Sequence, residues 1–235
     1  MHPGRPPRRN RLLAALAPDD YALLEPMLER VPLRFQSLLI PANEPIRDVV
    51  FPESGVVSTI VDSEEGRIEI GLIGREGLVG LPVVLGTDRI PCTFLVQGAG
   101  EGLSIAARDL RAALAQRPSI FRPLGLYTQA LMVQIAQTAY VNALFDIEAR
   151  LARWLLMMQD RMGGQDLYLT HEFLSAMLGV RRPGVTVASH VLEGTGAIRN
   201  KRGHIEIRDR DKLLDLAGDG YGSAEREYER LMAEA

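Results

Sequence analysis

The apolar residues of this chain change their period near residue 107, and this change divides the sequence into a β-rich part and a helical part. Between about 33 and 107, short runs such as DVVF, VVSTIV, RIEIGLI and CTFLV are separated by turn signals such as PESG, SEEG and GREG. Several short strands at this spacing predict an antiparallel sandwich or barrel. RIEIGLI alternates, which places Ile68, Ile70 and Leu72 on one face and Arg67, Glu69 and Gly71 on the other.

Helical spacing precedes and follows the β-rich part. It predicts helices over 17–31, 107–118 and 146–163, and a longer helix over 119–144. The long helix carries a heptad-like stripe of Leu124, Thr128, Leu131, Ile135, Thr138 and Asn142. Two interpretations stay open, because this stripe could pack on the barrel of its own chain or form a seam with a second copy. The dimer seam is favoured, since LMVQIA also offers apolar residues off the stripe.

The segment after residue 168 predicts two short helices followed by a basic hairpin. LTHEFLSAMLG begins with Thr170 as an N-cap and ends at Gly179. Pro183 marks the start of the next helix, which runs to about Glu193, because proline is favourable in a first helical turn. AIRN and HIEIR then predict two short strands around the turn KRG. Together these elements predict a winged helix-turn-helix.

The second helix of this pair is predicted to be amphipathic. Its apolar face is expected to pack on the first helix, with Val185, Ala188, Val191 and Leu192 against Leu174, Met177 and Leu178. The opposite face carries arginine, threonine and histidine side chains. We therefore expect this opposite face to be available to a partner.

Charge points to the identity of that partner. The net charge of the chain is −3, but residues 169–210 hold seven Arg/Lys against four Asp/Glu. A local basic patch on a helix-turn-helix indicates DNA binding, with the second helix in the major groove. The side chains expected to contact bases are Arg182, Thr186, Val187, Ser189 and His190. Those expected to contact phosphates are Thr170, His171, Arg181, Arg199, Lys201 and Arg202.

Composition argues against several other classes of protein. Cys92 is the only cysteine, which excludes a disulfide framework or a cysteine-ligated iron–sulfur cluster within one chain. No histidine lies between residues 3 and 170, and no P-loop, nucleophile elbow or dinucleotide fingerprint occurs. We therefore expect no catalytic residues, no metal site and no enzyme. Cys92 is interpreted as a core residue, with redox sensing as the alternative.

The N-terminal segment MHPGRPPRRNR predicts a basic, disordered tail over 1–11. No apolar run of signal-peptide length follows it, and no stretch of about 18 apolar residues occurs anywhere. We expect a cytoplasmic protein that does not enter a membrane.

Nearly the whole chain resembles the Crp/Fnr family of bacterial transcription regulators. The most specific part of the resemblance is LTHEFLSAMLGVRRPGVTVASHVLEGTGAIRNKRGHIEI, and FPESGVVS and IGREGLVGL extend it into the barrel. It implies an α+β fold with an N-terminal double-stranded antiparallel β-helix (a jelly-roll-like barrel), a long dimerisation helix and a C-terminal winged helix-turn-helix. The implied domains are a tail (1–11), a sensor barrel with flanking helices (12–118), the dimerisation helix (119–144), the DNA-binding domain (145–218) and a helical tail (219–235).

The resemblance also implies a function. A homodimer would bind a palindromic operator in double-stranded DNA through recognition helices over about 182–193, and an activator would also contact RNA polymerase. In the best-known member, three recognition-helix positions carry Arg, Glu and Arg, which correspond here to Arg182, Pro183 and Val187. The operator of that member therefore does not transfer to this chain.

The barrel departs from the cyclic-nucleotide-binding members of the family. Those members hold the ligand phosphate with a Gly-Glu segment and a following Arg-Ser/Thr pair. Here Pro91 and Cys92 stand near the position of that pair, and Arg89 is out of the pattern. This departure speaks against a cyclic nucleotide; no cofactor is evident, and the effector and its binding residues stay unknown. Two alternatives stay open: a nucleotide-dependent regulator, and a module whose helix-turn-helix contacts only proteins.

Overall fold

The secondary structure changes from strands to helices near residue 107, as the sequence predicts. The structure is a computed structural model that describes residues 9–64, 66–164 and 166–235. Its strands are β1 (Glu29–Leu33), β2 (Leu38–Ile40), β3 (Asp48–Pro52), β4 (Val56–Ser63), β5 (Gly66–Ile73), β6 (Thr93–Gly98), β7 (Gly100–Ala106), β8 (Asp166–Leu167), β9 (Ile198–Lys201) and β10 (His204–Ile207). Its α-helices are α1 (Arg11–Ala15), α2 (Pro18–Leu24), α3 (Ala107–Gln116), α4 (Phe121–Leu144), α5 (Ile147–Met162), α6 (His171–Leu178), α7 (Arg182–Gly194), α8 (Arg210–Ala217) and α9 (Ser223–Met232).

The strands before α3 form two antiparallel sheets. One has the order β1-β7-β3, with Val31 opposite Gly102 and Val50 opposite Ser104. The other has the order β2-β6-β4-β5. The α+β class and the antiparallel architecture are therefore confirmed, although the described strands make two sheets and not one closed barrel.

Contacts between residues divide the chain into two compact units. The first contains the residues up to Val57 together with Ile73–Gln129 and Leu231–Ala235, and the second contains Ser58–Leu72 and Ala130–Arg230. Each unit has its own apolar core. Fully buried side chains of the first include Leu13, Leu33, Phe51, Leu78 and Leu110, and those of the second include Leu151, Leu155, Leu174, Val185 and Leu213. The second unit therefore contains more than half of α4 and most of the β4–β5 segment, and the predicted domain boundary at residue 145 stays a prediction.

The last residues of the predicted N-terminal tail, Asn10 and Arg11, belong to the folded part of the chain. Residues 1–8 of the predicted tail lie outside the described residues, but Asn10 is fully buried and caps α1. Its side-chain amide donates to the carbonyls of Pro52 at 2.9 Å and Gly77 at 2.8 Å. The prediction of a disordered tail is wrong for Asn10 and Arg11, because these bonds satisfy a polar side chain inside the first unit.

On the alternating strand β5, Glu69 and Gly71 of one face are buried while Arg67 of that face is exposed, and Leu72 of the other face is fully buried. Glu69 is only 6% exposed, whereas Ile68 and Ile70 on the other face are half-buried. Strand alternation separates two faces, but it does not say which face another element will cover.

Helix α5 has a polar cap at its start and a glycine at its end. Asp146 caps α5 by accepting from Ala149 N–H at 2.9 Å, and Gly163 ends it with a positive φ of 71°. The helix predicted over 17–31 is shorter, because α2 gives way to a 3-10 turn at Glu25–Met27 and β1 follows. Pro26 lies in that turn and cannot continue an α-helix.

Candidate nucleic-acid interface

The first helix of the C-terminal motif, α6, has the predicted ends. Thr170 Oγ1 accepts from Phe173 N–H at 3.2 Å, and Gly179 ends the helix with a φ of 62°. A Cβ atom at Gly179 would lie 2.9 Å from Ile68 Cδ1. Gly179 is therefore required both by its left-handed backbone and by the close approach of β5.

The second helix, α7, begins at a Pro-Gly pair without being broken by it. Arg181 is the N-cap residue, Arg182 is the first helical residue and Pro183 the second, where its missing N–H costs no helical hydrogen bond. Gly184 faces α5, and a Cβ atom there would lie 3.0 Å from Ile147 Cδ1. The pair therefore starts α7 close to α5.

The apolar face of α7 is narrower than predicted. Val185, Ala188 and Leu192 are fully buried, as expected. Val191 is 43% exposed, so its predicted place in the core is wrong.

The opposite face of α7 presents most of the predicted base-contacting residues. Arg182 and His190 are exposed, and Val187 is 58% exposed. Ser189 is fully buried, and the carbonyl of the same residue accepts from Asn200 Nδ2 at 3.2 Å. The prediction that Ser189 contacts a base is therefore corrected, because its side chain points into the domain.

Thr186 is held by a short chain of hydrogen bonds. Its Oγ1 donates to the carbonyl of Arg182 and lies 3.1 Å from Nδ1 of His171. Burial, followed by the charges of Arg182 and His190, lowers the pKa of His171 and favours its neutral form. Thr186 can thus offer an outside partner a methyl group and a hydroxyl lone pair, but no hydroxyl proton.

A small sheet of order β8-β10-β9 forms the wing, with Ile205 of β10 opposite Asn200 of β9. Its turn contains Gly203 at a φ of 79°, and Arg199 and Arg202 are exposed near it. Lys201 instead binds Glu206 at 2.7 Å, and this hydrogen bond is the main reason why the pKa of Glu206 is lowered. Lys201 is therefore a less available cation than the two arginines.

Three residues of this surface were not singled out by the sequence. Glu193 accepts from both nitrogens of Asn200 and so ties α7 to the wing. Tyr168 is 76% exposed beside β8 and packs on His204 with ring centroids 5.6 Å apart. The one signal in the sequence was Asn200, because asparagine is depleted in strands and its presence in one indicates a specific role.

Comparison with known proteins identifies the motif. The family model of the Crp-like helix-turn-helix domain matches residues 149–216. This segment, which we call the Crp-like domain, therefore resembles a Crp-like helix-turn-helix domain. The match spans α5, α6, α7 and the wing, and it confirms the predicted resemblance to the Crp/Fnr family. No curated protein matches the sequence.

The structural similarity to solved proteins extends beyond the Crp-like domain and covers most of this chain. FixK2 from Bradyrhizobium japonicum is 17% identical with a TM-score of 0.69, and the match covers 81% of this chain and 98% of that one. The c-di-GMP responsive global regulator CLP of Xanthomonas campestris is 16% identical with a TM-score of 0.67, covering 81% and 99%. A CRP/FNR family transcriptional regulator from Thermus thermophilus is 22% identical with a TM-score of 0.60, covering 80% and 98%.

The helix α4, which leads into the Crp-like domain, turns the predicted dimer stripe inward. Leu124 and Thr138 are buried, and Thr138 accepts from Arg153 at 3.1 Å. Asn142 accepts from Arg150 at 3.1 Å. Thr128 donates to a carbonyl of its own helix, and both Leu131 and Ile135 lie beside Gly71 of β5. These contacts favour the alternative in which the stripe packs on its own chain, and its role as a dimer seam stays a prediction.

A different face of α4 is exposed and has the same heptad spacing. It carries Met132 (61% exposed), Tyr140 (48%) and Leu144 (69%), with the exposed Ala136, Ala139 and Ala143 between and beside them. Exposed apolar residues at this spacing along one helix are typical of a helix–helix interface.

The residues near the expected nucleotide-phosphate position do not form an anion site. Arg89 is exposed and lies 3.7 Å from Asp88, and it donates to the carbonyl of Asn43 at 3.4 Å. Cys92 is buried, and burial raises the pKa of its thiol, which supports its interpretation as a core residue.

The described residues contain neither a metal-binding cluster nor a membrane-spanning helix. Within residues 9–64, 66–164 and 166–235, no three or more His, Cys, Asp and Glu residues come together in a group that could hold a metal ion. Over the same residues, none of the helices has the length and apolar character needed to cross a membrane.

Proposed function

We propose that this protein is a transcription regulator that binds a palindromic DNA operator as a homodimer through α7. The observation that carries the proposal is the exposed first turn of α7. Arg182 is the first residue of this turn, and its side chain is exposed and lies away from the apolar face of the helix. Arginine can bind both acceptors of a guanine in the major groove, and a helix N-terminus attracts phosphate.

The exposed groups fall into two sets, candidate contacts to bases and candidate contacts to phosphates. Arg182, Val187 and His190 are the candidate base contacts, with Thr186 as an acceptor or a methyl contact. The candidate phosphate contacts lie around them, on the N-terminus of α6, on the N-cap of α7 and on the wing: Thr170, His171, Arg181, Arg199, Lys201 and Arg202. Contacts of the second kind position the protein and carry no sequence information.

The exposed apolar face of α4 supports the homodimer. Met132, Ala136 and Tyr140 would meet the same residues of a second copy, since a two-fold interface is self-complementary. Two copies of α7 would then read half-sites about one DNA turn apart, which is why the operator is expected to be a palindrome. We further propose a cytoplasmic protein without catalytic activity, which would contact RNA polymerase if it activates.

The effector of this regulator is proposed not to be a cyclic nucleotide. The exposed Arg89 and the buried Cys92 leave no buried cation at the position that would meet a cyclic phosphate. Binding of cyclic AMP in a calorimeter, with and without DNA, tests this point.

Selection of bound sequences from a random DNA pool tests the proposed function. A palindromic consensus is expected, and Arg182→Ala should relax one base pair of each half-site at a cost of about 1–3 kcal/mol. The matched control is Arg202→Ala, which removes the same side chain from the wing. This control should weaken binding to all sequences about equally, with a shallower salt dependence. Selection without any consensus would contradict the proposal and favour a protein-binding module.

A further inference from the structure

Glu69 places a carboxyl group inside the same compact unit as the Crp-like domain. It lies on β5, is 6% exposed and accepts two hydrogen bonds. One comes from Ser58 Oγ of β4 at 2.5 Å and the other from Trp154 Nε1 of α5 at 2.8 Å. The Glu69 carboxyl therefore joins the β4–β5 segment to the first helix of the Crp-like domain.

Trp154 carries this connection to the helix-turn-helix. Its side chain is 3% exposed, and its ring lies 6.3 Å from the ring of Phe173 on α6, measured between centroids. Indole has a single donor, Nε1–H, which here is used on Glu69. Movement of the Glu69 carboxyl would therefore displace the Trp154 ring, which packs on Phe173 of α6.

The charged groups around Glu69 come mainly from α5. Arg153 is buried and attracts the Glu69 carboxylate, while its guanidinium donates to Thr138 of α4 at 3.1 Å. Arg161, at the end of α5, attracts the carboxylate as well. Glu225 and Tyr221 also act electrostatically on Arg153, and β4 contributes the neutral Ser58.

Burial dominates the titration of this group. It raises the pKa of Glu69 to about 7, against the lowering effect of the bonds from Ser58 and Trp154 and of the two arginines. The hydrogen-bond set accommodates both forms of the acid. Ser58 donates to the carboxylate, and by turning its hydroxyl it can accept a proton from the neutral carboxyl, while Trp154 donates in either case.

We propose that Glu69 is a titratable positioning residue. Its protonated form holds α5 on the β4–β5 segment, and its ionisation loosens this contact. DNA affinity then depends on pH through this one side chain. The direction of the pH effect follows from the coupling between proton binding at Glu69 and the packing of α5. The packed state favours the neutral acid, whereas a state in which water reaches Glu69 favours the carboxylate, so rising pH shifts the population toward the looser state. The part that concerns DNA rests on the proposed function, and the part that concerns packing does not.

Trp154 gives a direct measurement of the packing, because it is the only tryptophan of the chain. The experiment follows its fluorescence in the DNA-free full chain while the pH is raised through about 7. The wild type is expected to show one transition toward a more solvent-exposed emission. Glu69→Gln, which keeps one acceptor and one donor but cannot ionise, should abolish the transition.

Two further variants separate titration from a merely structural role. Ser58→Ala removes a donor to the carboxylate and should move the midpoint to higher pH, and it keeps the test available if Glu69→Gln fails to fold. Asp62→Asn is the matched control, because Asp62 lies on the same segment but is paired with the exposed Arg67. Its midpoint should equal that of the wild type. A flat wild-type curve, a transition that persists in Glu69→Gln, or an unmoved midpoint in Ser58→Ala would overturn the proposal.

DNA affinity is then measured on the selected operator at the same pH values. The wild type should lose affinity as the pH rises, by at most about tenfold per pH unit for each Glu69 of the bound dimer, while Glu69→Gln should lose less. If no DNA is bound by any variant, the proposed function fails but the fluorescence transition still stands. If DNA binds with the same pH profile in both proteins, Glu69 does not control it and the proposal for Glu69 fails.

Discussion

Glu193 on α7, the proposed recognition helix, holds Asn200 on strand β9 of the wing. The Glu193 carboxylate accepts from the backbone N–H of Asn200 at 2.8 Å and from its side-chain amide at 3.1 Å. The same amide donates to the carbonyl of Ser189 at 3.2 Å. The wing is therefore fixed to the helix by three hydrogen bonds that converge on one asparagine.

Removing this connection should weaken DNA binding without changing its sequence preference. Glu193→Ala is expected to lower the free energy of unfolding by about 1 kcal/mol, since the carboxylate is largely solvated. The side-chain bond from Asn200 is the main cause that lowers the pKa of Glu193, so the stabilisation is present above the ordinary glutamate pKa and is lost as the pH falls through the lowered value. Denaturant melts and operator binding measure both effects. Asp215→Ala on α8 is the control, and equal losses in both variants would refute the role of Glu193.

Ser189 should be indifferent to DNA sequence. Its side chain is fully buried, and its Oγ has no hydrogen-bond partner among the described residues, so Ser189→Ala should leave stability unchanged or raise it by about 1 kcal/mol. The selected DNA consensus should also stay the same. Val187→Ala, at a position on the exposed face, is the comparison and should alter the consensus. An altered consensus in Ser189→Ala would restore Ser189 as a base contact.

The exposed face of α4 should decide the oligomeric state. Ala136→Glu puts a charge in the middle of the proposed seam and is expected to shift a dimer to monomers in sedimentation experiments. Ala115→Glu, on an exposed site of α3, should leave the dimer intact. A chain that is monomeric before any substitution would contradict the proposed seam.

Two glycines of the helix-turn-helix should respond differently to alanine. Gly179→Ala combines a positive φ of 62° with a contact of 2.9 Å to Ile68, and it should destabilise the protein by about 1–3 kcal/mol. Gly184→Ala gains helix propensity of about 1 kcal/mol and meets only the flexible end of Ile147, so its net effect should be small. Thermal melts distinguish the two outcomes, and equal destabilisation would show that the Ile147 contact cannot relax.

Global stability should also depend on Glu69. Because the pKa of Glu69 is raised to about 7 in the folded chain, its contribution is complete below the ordinary glutamate pKa and is lost as the pH rises through 7. The loss amounts to about 3 kcal/mol at most, since one pKa unit corresponds to about 1.4 kcal/mol. Denaturant melts at several pH values should show this slope in the wild type and a reduced slope in Glu69→Gln. Identical slopes would mean that other groups carry the pH dependence.

The sequence by itself determined the elements whose signals are local. Thr170, Gly179 and Gly163 mark helix ends through a cap bond or a left-handed backbone, and those needs involve only neighbouring residues. Pro183 marks the first turn of α7 in the same way, and the match to the Crp-like domain agrees with this local pattern.

The tertiary structure decided which of two equivalent faces would be covered. The heptad stripe through Leu131 and Ile135 packs on β5, leaving Met132 and Tyr140 exposed, although both faces have suitable spacing. Glu69 of β5 is buried where α5 supplies a donor to its carboxyl, and Ser189 is buried where Asn200 of the wing binds its backbone carbonyl. Periodicity along one chain divides a helix or strand into faces, but only the approach of another element, with its own donors and apolar surface, determines which face leaves water.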